Sequence, residues 1–217
     1  LNNVSGEVMA QPDNEQTATR GRPINADLTP AIMEAVLSLL ADEGYARLTT
    51  ALVAKRACVS TATLYRRWPS KRDLLLATAE QIAASETADI NTGSTAGDLR
   101  ELFTQKRRVL SGRIGASLVA LVGESAHDAE LAGIVRTSIL NPTREHLISI
   151  LDRARARGER VTADATAAAH LVVGSILTRI ALATTENDDG LLPESDVALL
   201  LQAIAGSTES PSDTASQ

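Results

Sequence analysis

The chain has 217 residues, 44% apolar but only 2% aromatic, with a net charge of −6. That length accommodates one large domain or two small ones around a buried core, and the dominance of Ala, Leu, Val and Ile over aromatics favours helices. The lone cysteine, Cys58, excludes a disulfide framework or a thiolate metal centre, and fits a reducing, cytoplasmic setting.

Residues 1–25 read as a disordered polar arm; the first nineteen hold acids, no Lys or Arg and no apolar run, so no signal peptide is expected in them. Thr29-Pro30 starts a first helix, with Ile32, Val36, Leu39 and Leu40 at helical spacing and Gly44 closing it. A short second helix follows Thr49-Thr50 and ends near Ala57. After a turn through Cys58, read as a small buried residue, Ser60 caps a third helix that Pro69 terminates. Ser70 caps a fourth, with Asp73 at the capping-box position, running to about Ala88.

The stretch 86–98 reads as a loop between two units, 26–88 and 95–206. Helices are expected at about Asp98–Ser111, Ile114–Ser125 and Asp128–Arg157, the last kinked at Pro142. A very apolar helix, Ala165–Thr184, is interrupted by His170, Ser175 and Arg179, which mark a buried helix rather than a membrane span. A turn at 186–193, an amphipathic helix Glu194–Ala205 and a disordered polar tail, 207–217, complete the chain.

Charge is unevenly spread. Residues 20–82 carry nine basic against six acidic residues, whereas 83–217 carry twelve against eighteen. Arg47 through Arg72 holds seven positive charges and no negative one, and such a single-sign field calls for a polyanion. Helices two and three, joined by a short turn, form a helix-turn-helix. Ala54 and Ala57 are small where the helices must cross, while Val59 and Leu64 join them with apolar contact. With Leu64 inward, Thr61, Ala62, Tyr65 and Arg66 share the outward surface, and Thr63 and Arg67 flank it. Hydroxyls and guanidinium groups suit phosphates and base edges in a major groove. Adjacent positions diverge by about 100°, so one of Arg66 and Arg67, not both, is expected to face the groove floor. Trp68 reads as core.

The segment 48–75, "LTTALVAKRACVSTATLYRRWPSKRDLL", resembles the DNA-binding segment of tetracycline-repressor (TetR) family regulators, and the likeness extends over about Thr29–Ala88. The resemblance implies an all-α fold: an N-terminal three-helix helix-turn-helix domain, then a C-terminal helical domain for effector binding and dimerisation. It implies backbone contacts from Thr49 and Thr50, groove or phosphate contacts from Thr61, Thr63, Tyr65, Arg66 and Arg67, and a phosphate clamp at Lys71. Arg20 and Arg22, in "RGRP", resemble the basic arm that many members lay into the minor groove. Where the family usually has Gly, this chain has Cys58; a left-handed turn there costs about 1–2 kcal/mol.

For the second unit, the apolar all-round character of helix 165–184 predicts a dimer contact through Ala168, Leu171, Val172, Ser175 and Ile176, with Val197, Leu200, Leu201 and Ile204 from the last helix. Pocket candidates are Phe103, Arg107, Leu118, Val122, Ile139, His146 and His170. The scarcity of aromatics disfavours planar stacking ligands and leaves aliphatic or small amphipathic effectors. Neither a nucleophile–base spacing nor a phosphate loop is found, and two lone histidines make no metal site, so no enzyme, cofactor or metal is expected. The expected function is a DNA-binding transcriptional regulator: a homodimeric repressor released from a palindromic double-stranded operator by a small effector, without a membrane partner. An activator, a ligand-independent regulator and a helical accessory protein that does not bind DNA are the alternatives.

Overall fold

The computed structural model describes residues 28–86, 89–182 and 191–205. Their regular structure consists of ten α-helices and one π-helical stretch, with no strand among the described residues. Helices α1 (Leu28–Glu43), α2 (Thr50–Arg56), α3 (Thr61–Arg67) and α4 (Lys71–Ala84) come first. The sequence punctuates them as expected. Thr49 accepts from the Leu52 N–H, Ser60 from Thr63, and Ser70 with Asp73 completes a reciprocal capping box. Each such cap is worth about 0.5–2 kcal/mol. Gly44 ends α1 at φ +78°. Ile32, Val36, Leu40, Val53, Leu64 and Leu74 meet in one core, against which Trp68 packs.

Helices α5 (Thr95–Val109), α6 (Gly112–Ser125), α7 (Ala129–Val135), α8 (Asn141–Ala156), α9 (Ala165–Leu182) and α10 (Glu194–Ala205) enclose a second core around Leu99, Phe103, Leu147, Ile150, Val172 and Ile176. The two units interlock. Ser117 of α6 donates to the Leu37 carbonyl of α1 at 2.8 Å, Arg113 pairs with Glu34, and Arg72 of α4 pairs with Asp128 and Glu130 beside α7. Leu131 of α7, fully buried, belongs to the first core.

Several boundaries differ from the sequence reading. Helix α4 stops at Ala84, where Ser85 caps it. Helix α5 begins at Thr95 rather than Asp98, because Ser94 accepts from the Gly97 N–H. The expected kink at Pro142 takes the form of a π-helical stretch, Arg136–Leu140, in which the Asn141 N–H donates to the Arg136 carbonyl five residues back. Pro142 has no N–H to give, and the wider turn just before it absorbs the fault.

Helix α9 is long and apolar enough to cross a membrane by length and composition. Here it packs in the second core, and Arg179 is bonded to Asp196 of α10 at 2.5 and 2.9 Å. The residues expected at a dimer contact are redistributed. Ala168, Val172, Ile176, Val197, Leu200 and Ile204 face inward, into the chain's own core. Ser175 and Leu201 are half-buried, and only Leu171 is exposed. A helix apolar all round gives no periodicity from which to tell its inner side from its outer one. The arm 1–25, with Arg20 and Arg22, and the tail 207–217 lie outside the described residues.

Candidate nucleic-acid interface and effector pocket

The turn between α2 and α3 is a Schellman motif. The Val59 N–H donates to the Ala54 carbonyl at 2.9 Å and the Cys58 N–H to Lys55 at 3.3 Å. Cys58 takes the left-handed position at φ +54°, as a non-glycine residue, and it is exposed rather than buried. The same bonds end α8, from Glu159 to Ala154 and from Gly158 to Arg155, with glycine in the left-handed place at φ +82°.

This turn sets α3 with Leu64 inward and Thr61, Tyr65, Arg66 and Arg67 exposed, while Thr63 is half-buried beside Ser60. The Tyr65 phenol accepts from the Thr50 hydroxyl at 2.8 Å, tying the start of α2 to the outer face of α3. Thr49 is occupied as the α2 cap. Arg67 is turned back to donate to the Thr29 hydroxyl at 2.8 Å, leaving Arg66 as the arginine without such a tether. Lys71 lies over the Tyr45 ring, 3.6 Å from its centroid, and donates to the Tyr45 carbonyl at 3.2 Å. That leaves other donors of its ammonium for an anion.

The seven cations of this segment divide into two groups. Arg56 pairs with Asp42 and Glu43, Arg47 with Glu43, and Arg72 with Asp128 and Glu130. The Arg56 guanidinium and the Ser38 hydroxyl hold the Asp42 carboxyl below its usual range. Asp128 is lowered by the Leu131 N–H and by Arg72. Asp42 and Asp128 are thereby held as carboxylates beside Arg56 and Arg72. Lys55, Arg66, Arg67 and Lys71 have no acidic partner among the described residues. They give the α3 side its net positive field.

Residues 32–78 match the family described as bacterial regulatory proteins, tetR family, and residues 89–195 match the tetracyclin repressor-like C-terminal domain. Together the two matches span most of the chain. The chain belongs to the TetR family of transcriptional regulators. It is 29% identical over 188 residues to the uncharacterised HTH-type transcriptional regulator YdeS of Bacillus subtilis, covering 86% of this chain and 93% of that one. It is 29% identical over 130 residues to the DNA-binding transcriptional repressor TetR of Mycobacteroides abscessus, covering 59% and 68%. Its fold is like that of Bacillus subtilis FadR, solved in complex with stearoyl-CoA, with a TM-score of 0.66 at 21% identity over 81% of this chain and 98% of that one.

In this TetR-family regulator the expected pocket residues do not share one site. Phe103 and Arg107 border a cleft between α5 and α10, and Phe103 is itself a core residue. Leu118, Val122, Ile139 and His170 line a second pocket, between α6, α7 and α9. His170 is exposed, its Nδ1 hydrogen-bonded to the Thr166 carbonyl of its own helix at 2.7 Å. His146 stands elsewhere, with its Nδ1 3.9 Å from Glu86.

A further pocket lies between the two units and shares Leu118 and Ile139 with the second. Leu37 and Leu40 of α1, Leu75 and Ile82 of α4, and Val109 and Ile114 give it an aliphatic wall, and no aromatic side chain lines it. Its polar lining residues are Thr78, Ser117, Ser138 and the pair Glu86 and Lys106. The Lys106 ammonium, 2% exposed, donates to both oxygens of Glu86 at 2.6 and 2.9 Å. Sequence reasoning passed over Lys106, although the signal was present. Leu99, Leu102, Phe103, Lys106 and Val109 fall on one face of α5, so a lysine occupies a core position.

Proposed function

We propose that this regulator is a cytoplasmic homodimeric repressor, not an enzyme, with residues 26–88 as the reading head and 95–206 as the regulatory and dimerising unit. The observation that carries the reading is the outer face of α3, where the Thr50–Tyr65 pair and Arg66 stand with Lys55, Arg67 and Lys71, cations that form no salt bridge among the described residues. Thr61, Thr63, Tyr65 and Arg66 meet the major groove, while Thr49, Thr50, Arg67 and Lys71 hold the backbone. Repeating this face by a two-fold axis suits a palindrome whose half-sites lie about one helical turn apart.

Dimerisation is supported by the outer stripe of α9 and α10. Ala167, Leu171, Thr178 and Leu182 recur along α9, and α10 also exposes Leu199; Leu171, Leu182 and Leu199 are 50%, 73% and 66% exposed in the single chain. A second copy on this stripe would cover an apolar surface that monomers rarely leave open. Effector release is supported by the pocket between the units, whose walls come from both α1–α4 and α5–α6. A molecule there favours one relative placement of the halves, and about 1–3 kcal/mol of such preference suffices for regulation.

The test starts from genomic fragments captured by the purified protein, used as templates for transcription in vitro. Transcript yield falling as protein is added supports the repressor; a rise would make it an activator. No retention of any duplex at low salt would sink the DNA-binding reading itself.

A further inference from the structure

We infer that the pocket between the two units binds an aliphatic carboxylate, and that Glu86 is an internal stand-in for the ligand's head group on Lys106. This rests on the effector-release reading above and specifies its ligand. The wall of the pocket is branched aliphatic and its free volume is about 60 Å³, so a flexible hydrocarbon tail enters only as the walls from α1–α4 and α5–α6 part. A fully buried ammonium at one end of such a wall requires an anion, because an unpaired buried charge is strongly disfavoured. In this structure the anion is the carboxylate of Glu86.

The two partners are unequally fixed. Lys106 lies in the last turn of α5, its side chain 2% exposed and set between Phe103 and Val109 of the core. Glu86 stands beyond the end of α4, outside any helix, where its side chain can turn out to water without breaking regular backbone bonds. A ligand carboxylate can replace it on Lys106, so a buried ion pair is kept and no charge is stranded.

The surroundings of the pair have unused polar capacity. Among the described residues the buried Ser138 Oγ on the pocket wall has no hydrogen-bond partner, nor does the buried His146 Nδ1, 3.9 Å from the Glu86 carboxylate. The Ser138 hydroxyl is available to donate to a polar group of a molecule bound in the pocket. Because Glu86 follows α4 and Lys106 belongs to α5, the exchange also removes a direct tie between the reading head and the regulatory half.

The experiment uses the full-length protein and a matched pair of probes, decanoate and methyl decanoate, followed by titration calorimetry. Decanoate is expected to bind at least tenfold more tightly than the ester. Glu86→Gln, which removes the competing internal anion, should tighten decanoate about tenfold further. The double variant Glu86→Gln/Lys106→Met, which removes both charges and strands neither, should bind acid and ester alike. Equal affinity for acid and ester in the wild-type protein, or no tightening in Glu86→Gln, overturns the head-group assignment. So does failure of every straight-chain acid from hexanoate to hexadecanoate to bind. Duplex retention by the same wild-type preparation separates the failures. If retention is intact, only the ligand assignment falls; if it is lost, the regulator reading falls with it.

Discussion

Cys58 holds a left-handed conformation that Gly158 holds without cost in the matching turn of α8. Cys58→Gly should raise the stability of the protein by about 0.5–1 kcal/mol, the relieved strain being partly offset by the freer unfolded chain. Cys58→Val should lower it, and urea denaturation of the two variants orders them. Arg66 and Arg67 are neighbours with different engagements, since Arg67 is bonded back to Thr29. Arg66→Ala is expected to relax preference at one operator position, by about 1–3 kcal/mol of discrimination. Arg67→Ala should weaken all sequences alike, and binding to a panel of single-base operator variants distinguishes the two patterns. His146 is lowered below its ordinary 6.5 by burial, then by the Lys106 charge, with Glu86 and Glu145 opposing. The folded state thus binds fewer protons than the unfolded chain just below pH 6.5, and stability should fall as pH drops through that value. His146→Gln should flatten this limb. The lowered carboxyls of Asp42, Asp128 and Asp196 titrate from an ordinary value of 3.8, so their acid limb lies lower and stays separate.

Helix α9 shows which element-level features the sequence discloses and which it hides. Its existence and length follow from an unbroken apolar run, but its orientation does not, because nearly every face is equally apolar. The buried set Ala168, Val172 and Ile176 and the outer set Ala167, Leu171 and Thr178 are interleaved within the same four turns. By contrast, the starts of α2 to α4 and the end of α3 were legible almost to the residue. Their hydroxyl caps, a capping box and Pro69 mark these boundaries by local chemistry that packing does not override. The pocket was the least legible part. It is assembled from α1, α4, α5, α6 and the π-helical stretch, so no window of sequence contains it, and only Lys106 betrays it by interrupting an apolar stripe. The corrected orientation changes the interface test. Leu171→Glu or Leu199→Glu should dissociate a dimer while leaving each chain folded. Ile176→Asp, fully buried in the chain's own core, should unfold it instead. Sedimentation paired with circular dichroism reads both.

Along the whole chain the basic excess is confined to residues 20–82, and the acidic excess lies in residues 1–19 and 83–217. Affinity for duplex DNA should fall steeply with salt, and Lys71→Ala should lower the slope of log affinity against log salt by about one unit. The interlock between the halves has its own consequence. Leu131, from α7, completes the core of α1–α4 although it lies more than forty residues beyond α4. Leu131→Ala should cost about 2–5 kcal/mol, and an expressed fragment ending at Ala84 should melt well below the intact chain. Reading heads of this kind are therefore poor interchangeable cassettes. A chimeric sensor that joins residues 28–84 to a foreign regulatory half inherits an empty socket, and it regains a firm head only when the incoming half brings an apolar side chain to that place.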